Sequence, residues 1–237
     1  MITALLLLVF VSNGGNVRAI NTQFSFEQLT AEEKREYIAN IDMSLLKEEP
    51  VKMSIICFDV NDDQMIAIGQ NAPDRKFVCV YTSDGVFQYA YAFHCSGSFG
   101  IAWDESNLNI YFVRGGMLLS VDPNGEIIDF VKIQDTAENN TYQNHILYST
   151  ERMSGDTKYR VRNDMGILNL IQFSYSQLVV LKPTGEEKIL YDVNSAQLAK
   201  TIAVCVLAMV LLLVTMAVSL DNLRDGKNRD KKCKPYQ

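Results

Sequence analysis

Histidine and tryptophan are scarce in this chain: two histidines, His94 and His145, and one tryptophan, Trp103, in 237 residues. With so few imidazoles, no Ser-His-Asp arrangement has motif support. Gly97-Ser98-Phe99-Gly100 does not complete the Gly-x-Ser-x-Gly elbow, and no strand-to-helix pattern comes after it. His94-Cys95 supplies two metal-ligand types, but no spaced second pair appears to finish a tetrahedral set. Asp59-Val60-Asn61-Asp62-Asp63 opens like a calcium loop, then has Gln64 where glycine is needed and Gln70 in place of the closing glutamate. It reads as a turn between strands. Phosphate-cradling glycine motifs are missing too. No catalytic, cofactor-binding or metal-binding residue is assigned, and no cofactor is expected.

Cysteine is also limited. Of the five, Cys205 falls in an apolar run and Cys233 in a basic tail. The remaining Cys57, Cys79 and Cys95 are odd in number and unevenly spaced, which excludes a disulfide framework. Apolar neighbours suit them to a core, with one Cys57–Cys95 or Cys79–Cys95 bond left open. Excess positive charge is lacking as well. The net charge is −6, and an acidic chain argues against a nucleic-acid partner.

The most informative absence is local. Thr201 to Leu220, TIAVCVLAMVLLLVTMAVSL, contains no charge. Twenty helical residues reach ~30 Å, the thickness of a bilayer's hydrocarbon core, and no polar face interrupts them. A transmembrane helix over 196–220 is predicted. The tail beyond it carries Arg224, Lys227, Arg229, Lys231, Lys232 and Lys234 against three aspartates. Basic flanks stay cytoplasmic, so 221–237 is expected inside and the acidic bulk outside. This predicts a single-pass cell-membrane protein with an extracytoplasmic domain.

At the other end, Ile2 to Val11 is apolar but too short to span comfortably. Val17-Arg18-Ala19 offers small residues for cleavage after Ala19, although no Lys or Arg precedes the run. Residues 1–19 are read as a signal peptide with a poor basic end or the remainder of a longer anchor, in preference to a buried strand. Both place residues 20–195 outside. A helical stalk is expected over 20–50. Thr30-x-x-Glu33 is a capping box, and Tyr37, Ile38, Ile41 and Leu45 share one helical face. The helix is predicted from Ala31 to Lys47, its stripe packed on the outer domain, with Pro50 closing it.

From 51 to 195 the pattern becomes β-rich. Short runs such as MSIICFDV, KFVCVYT, LNIYFVR and GMLLSV alternate with turn residues. Three stretches look alike: 78–91, 118–131 and 179–192, each a strand, a turn ending in Gly85, Gly125 or Gly185, and a second strand. Gly85 and Gly125 are 40 residues apart, a propeller-blade length. The third glycine lies 60 further on, which predicts insertions around Asp135–Asn144 and Ser154–Lys158. Tyr and Phe side chains at 87–93 are expected as core and cross-strand pairs. Asn139-Asn140-Thr141 fits a glycosylation acceptor, meaningful in a eukaryotic secretory host.

Ser98-Phe-Gly-Ile-Ala-Trp-Asp104, Leu108-Asn-Ile-Tyr-Phe-Val113 and Leu119-Ser-Val-Asp-Pro-Asn-Gly125 together resemble a blade of the NHL-repeat β-propellers. The match is strongest there, weaker over Met53–Phe93 and weakest over Tyr142–Val193. The resemblance implies propeller-type blades, of which the chain has room for about three where the family uses about six. Three blades leave sheet edges to be covered, curled or paired. The layout also resembles small bacterial single-pass membrane proteins, which supplies no activity. The expected fold is mainly β: an incomplete propeller-like stack of antiparallel sheets, a short N-terminal helix and one C-terminal transmembrane helix. The expected function is a membrane-anchored binding or assembly module, partnered by the membrane and by a second copy or another protein at open edges. Trp103 and the turns at Ser83–Asp84 and Pro123–Asn124 mark a possible ligand face. The alternative is a membrane-anchored hydrolase, which requires convergent polar groups around His94 or His145.

Overall fold

A computed structural model describes residues 22–232, with side chains up to Ser219. The signal-like segment 1–19 and the last five residues lie outside the described range. The fold is mainly β, a propeller-like stack of three antiparallel sheets followed by one long apolar helix.

The central sheet is a meander of β3 (Ile55–Val60), β4 (Ile66–Asn71), β5 (Lys76–Tyr81) and β6 (Phe87–Phe93). The second contains β7 (Phe99–Asp104), β8 (Asn107–Phe112), β9 (Met117–Val121) and β10 (Ile127–Ile133). The third contains β11 (Glu151–Ser154), β12 (Thr157–Arg162), β13 (Gln177–Leu181) and β14 (Glu187–Asp192). The first strands, β7 and β11, both run against β3.

Burial explains the stacking. On β5, Val78 and Val80 join a core shared with Ile101, Leu108 and Phe112 of the second sheet. Cys79 and Tyr81 point the other way, into a core with Tyr159, Val161 and Leu178 of the third. The central sheet is therefore apolar on both faces, which is why its strands read as nearly continuous hydrophobic runs. The ring is not closed, since none of these core clusters joins the second sheet to the third. The free face of the second sheet is covered by Phe24 and by α2 (Ala137–Tyr148), through Tyr111, Tyr142 and Ile146. The insertion expected at Asp135–Asn144 is this helix. Ser154–Lys158 is no insertion but the β11–β12 hairpin.

The third-to-fourth strand turns of the sheets share one geometry. Gly85, Gly125 and Gly185 all have φ near +85°, and each donates its N–H to the carbonyl three residues back. A side chain there would be strained.

Helix α1 (Ala31–Ile41) is shorter than predicted. The capping box is formed, with Glu33 accepting from Thr30 N at 2.8 Å and Thr30 accepting from Glu33 N at 3.3 Å. Asp42 then turns left-handed (φ 46°) and donates its N–H to the Ile38 carbonyl, which ends the helix. Leu45, expected on the helical stripe, instead lies in β2 (Ser44–Leu46), paired with β6. Ile38 and Ile41 do pack on the core between the first two sheets. On the other side of α1, β1 (Phe26–Gln28) extends the second sheet beyond β10. Two outer edges thus end in strands of only three residues, and the third ends in β14, which carries Glu187, Lys188 and Asp192. Short or charged edges resist pairing with further strands.

Helix α3 (Asn194–Lys232) leaves β14 almost directly. Its segment Asn194–Ser219 is 26 residues long and apolar enough to cross a membrane. From Ile202 to Val218 every side chain except the half-buried Cys205 is exposed, so beyond its first turns the helix is not covered by any described part of the protein. A core helix would be covered. This one is long and apolar enough to need lipid or another apolar surface.

Candidate functional site

The three sheets and α2 converge on one buried ion pair. Asp59, next to last in β3, is a carboxylate in an otherwise apolar strand. Its Oδ1 accepts from Arg152 Nε of β11 at 2.8 Å, and its Oδ2 accepts from the Trp103 backbone N–H of β7 at 2.7 Å. Arg152 also donates through Nη2 to the Ile146 carbonyl of α2 at 3.3 Å, and its guanidinium lies over the Phe58 ring. Both side chains are mostly buried. Burial pushes the Asp59 carboxyl above its ordinary range, while the Trp103 N–H and Arg152 pull the other way.

Above this pair is an open cleft of about 920 Å³, lined by Asp59, Trp103, Arg152 and, from α2, Glu138, Tyr142 and His145. The Trp103 indole Nε1 is buried and has no hydrogen-bond partner among the described residues. Strand direction brings Trp103 and the two turns singled out in the sequence to one end of the domain. β7 ends there, and so do β5 and β9.

The two histidines are not brought together. His94 lines a second cleft, about 540 Å³, between α1 and the loops at Arg75 and Arg114. It faces Asp42 (Nδ1–Oδ2 3.6 Å), which also pairs with Arg75 at 2.6 Å. The neighbouring Cys95 thiol donates to the Gly97 carbonyl at 3.9 Å, and burial raises it. A protonated thiol is a poor nucleophile. Cys57, Cys79, Cys95 and Cys205 are all free thiols. Cys57 and Cys79 lie in opposite cores of the central sheet, and burial pushes the Cys79 thiol up to about 12. Among the described residues no three metal-ligating side chains cluster. Asn139, the glycosylation candidate, is buried, and its amide donates to the Ser25 and Gln134 carbonyls.

Reading the sequence missed the Asp59–Arg152 pair, whose partners are 93 residues apart. Its one local signal was an acidic residue inside an apolar strand. Compared with known protein families the chain matches none, and no characterised protein matches it in sequence.

Proposed function

We propose that this chain is a membrane-anchored, extracytoplasmic binding or assembly module, its propeller-like domain presented by α3. The observation that carries the reading is α3 itself: a 26-residue apolar segment, joined to the last strand by a single residue, whose side chains from Ile202 to Val218 are exposed except for the half-buried Cys205. The basic residues after the span favour the domain outside. The end farthest from the anchor, with Trp103 and the Asp84 and Asn124 turns, is then the end that meets a ligand or partner. The hydrolase alternative has less support. The buried carboxylate of the His145 cleft is engaged by Arg152 and Trp103, and among the described residues no serine or cysteine lines that cleft.

The test is topology in whole cells. Asp84 is 84% exposed in its side chain, so Asp84→Cys should react with a membrane-impermeant maleimide on intact cells, and the chain should resist alkaline carbonate extraction. Labelling only after permeabilisation would reverse the orientation. Release by carbonate would remove the anchor.

A further inference from the structure

The loop between β12 and β13 contains a 3-10 turn, Gly166–Ile171. Large apolar side chains surround it and are held in solvent: Ile167 is 82% exposed, Leu170 85%, Ile171 51% and Phe173 102%. Met165 to Gln177 carries no charge. A soluble surface loop is normally polar, and a contiguous apolar patch marks a contact surface.

The loop is tied down by polar groups. Asn163 accepts from Ser176 N at 2.7 Å and donates to the Ser174 carbonyl. Asn194, at the start of α3, donates to the Asp164 carbonyl at 2.7 Å. Tyr175 exchanges two backbone hydrogen bonds with Ile55 of β3. The apolar side chains are therefore displayed on a fixed scaffold.

The fastening of the loop decides what these side chains face. Gln172 Nε2 donates to Thr201 Oγ1 at 2.9 Å, and Gln197 Nε2 donates to Gln172 Oε1 at 2.9 Å. Thr201 is the first residue of the uncharged run, and it and Gln197 are buried beneath the loop. The exposed side chains thus sit beside the point where the span begins. Lys200, exposed and immediately before Thr201, lines a shallow cleft against the first turns of α3, placing an ammonium group where lipid headgroups would lie.

We infer that the Gly166–Phe173 loop inserts its apolar side chains into the outer surface of the bilayer that α3 spans. It forms a second membrane contact and holds the domain at a fixed tilt. The inference rests on the reading of α3 as a membrane span. A single helix would leave the domain free to swivel on its anchor, and a second contact beside it removes that freedom. Continuity with the span selects lipid over a partner protein as the occupant.

The test uses the full chain in phosphatidylcholine–phosphatidylglycerol vesicles, with Cys95, Cys205 and Cys233 replaced by serine and an environment-sensitive fluorophore on one introduced cysteine. Cys57 and Cys79 are buried. Phe173 is fully exposed, so Phe173→Cys removes no packing. The Phe173 label should emit blue-shifted and be quenched by lipids carrying a shallow nitroxide. A label at Val86, an exposed turn at the far end, should show neither effect. A water-like, unquenched Phe173 label beside a Met209→Cys label quenched by lipids carrying a deep nitroxide overturns the inference and leaves the span intact. Loss of quenching at Met209 as well would sink the membrane reading itself. A blue shift without lipid quenching, growing with protein density, would assign the surface to a second copy and overturn the lipid assignment.

Discussion

The third sheet is a four-strand meander and the central sheet is the same meander with β2 added at its edge, yet they solve burial differently. The central sheet has a core on each face, so both parities of β5 are apolar. The third sheet has one. Tyr159 and Val161 face the central sheet, while Arg160 and Arg162 point away toward Glu187. The same strand-turn-strand plan therefore gives an apolar run along β5 in one sheet and alternation along β12 in the other. Position in the stack, not the plan, sets the pattern.

The largest break in this comparison comes from the tie between the two sheets. Arg152→Ala leaves Asp59 buried without its partner and should cost about 3–5 kcal/mol in denaturant unfolding. Replacing both members, Asp59→Asn with Arg152→Met, should recover most of that loss. If the single and double variants are equally unstable, the pair is not what joins the sheets.

Next comes packing within the central sheet. A Cβ at Gly69 would lie 2.3 Å from Cys57 Sγ and 3.1 Å from the Phe99 ring. Gly69→Ala should lose about 1–3 kcal/mol through overpacking. Cys57→Ala removes the nearest atom, so the double variant should regain part of the loss in thermal melts. No regain would mean that Phe99, not the thiol, sets the limit.

A smaller effect is a slope in pH. The Asp59 carboxyl is raised in the folded state, so the folded chain holds that proton more tightly than the unfolded chain. Its contribution to stability should fall as pH rises from about 4, the unfolded carboxylate value, through the raised value. The difference in unfolding free energy between the wild type and Asp59→Asn, followed from pH 4 to 7, reads this slope. A flat difference would show that Arg152 and Trp103 fully offset the burial.

The smallest effect belongs to the wet face of the third sheet. Arg162 pairs with Glu187 at 2.5 Å, but both are about a third exposed. Arg162→Ala should cost no more than about 1 kcal/mol, and less at high salt. A loss as large as that of Arg152→Ala would mean the face is covered in the assembled protein.

Legibility in the sequence followed the same division. The strands of the central and second sheets stood out because their burial is dense enough to show as apolar runs. The third sheet was harder to read, since Lys158, Arg160 and Arg162 alternate with its core residues and a long loop, uncharged from Met165 onward, separates β12 from β13. The α1 boundary was overrun because Leu45 continued the helical spacing, while the left-handed Asp42 that ends the helix has no spacing signature. Of the candidate site, Trp103 and the hairpin turns were visible as residue types. Asp59 was seen only as part of a failed calcium loop, and Arg152 not at all.

Local chemistry by itself determined the capping box, the three glycine turns, the β-rich character and the uncharged span, because each depends on neighbours a few residues apart. The tertiary structure alone decided which sheet lies in the middle, how α2 covers the open side of the second sheet, and that Asp59 meets Arg152. It also decided that the Gly166–Phe173 loop stands beside Thr201. Each of these is a contact between residues far apart in the chain, made because burying apolar faces leaves few places for the polar groups and loops that remain.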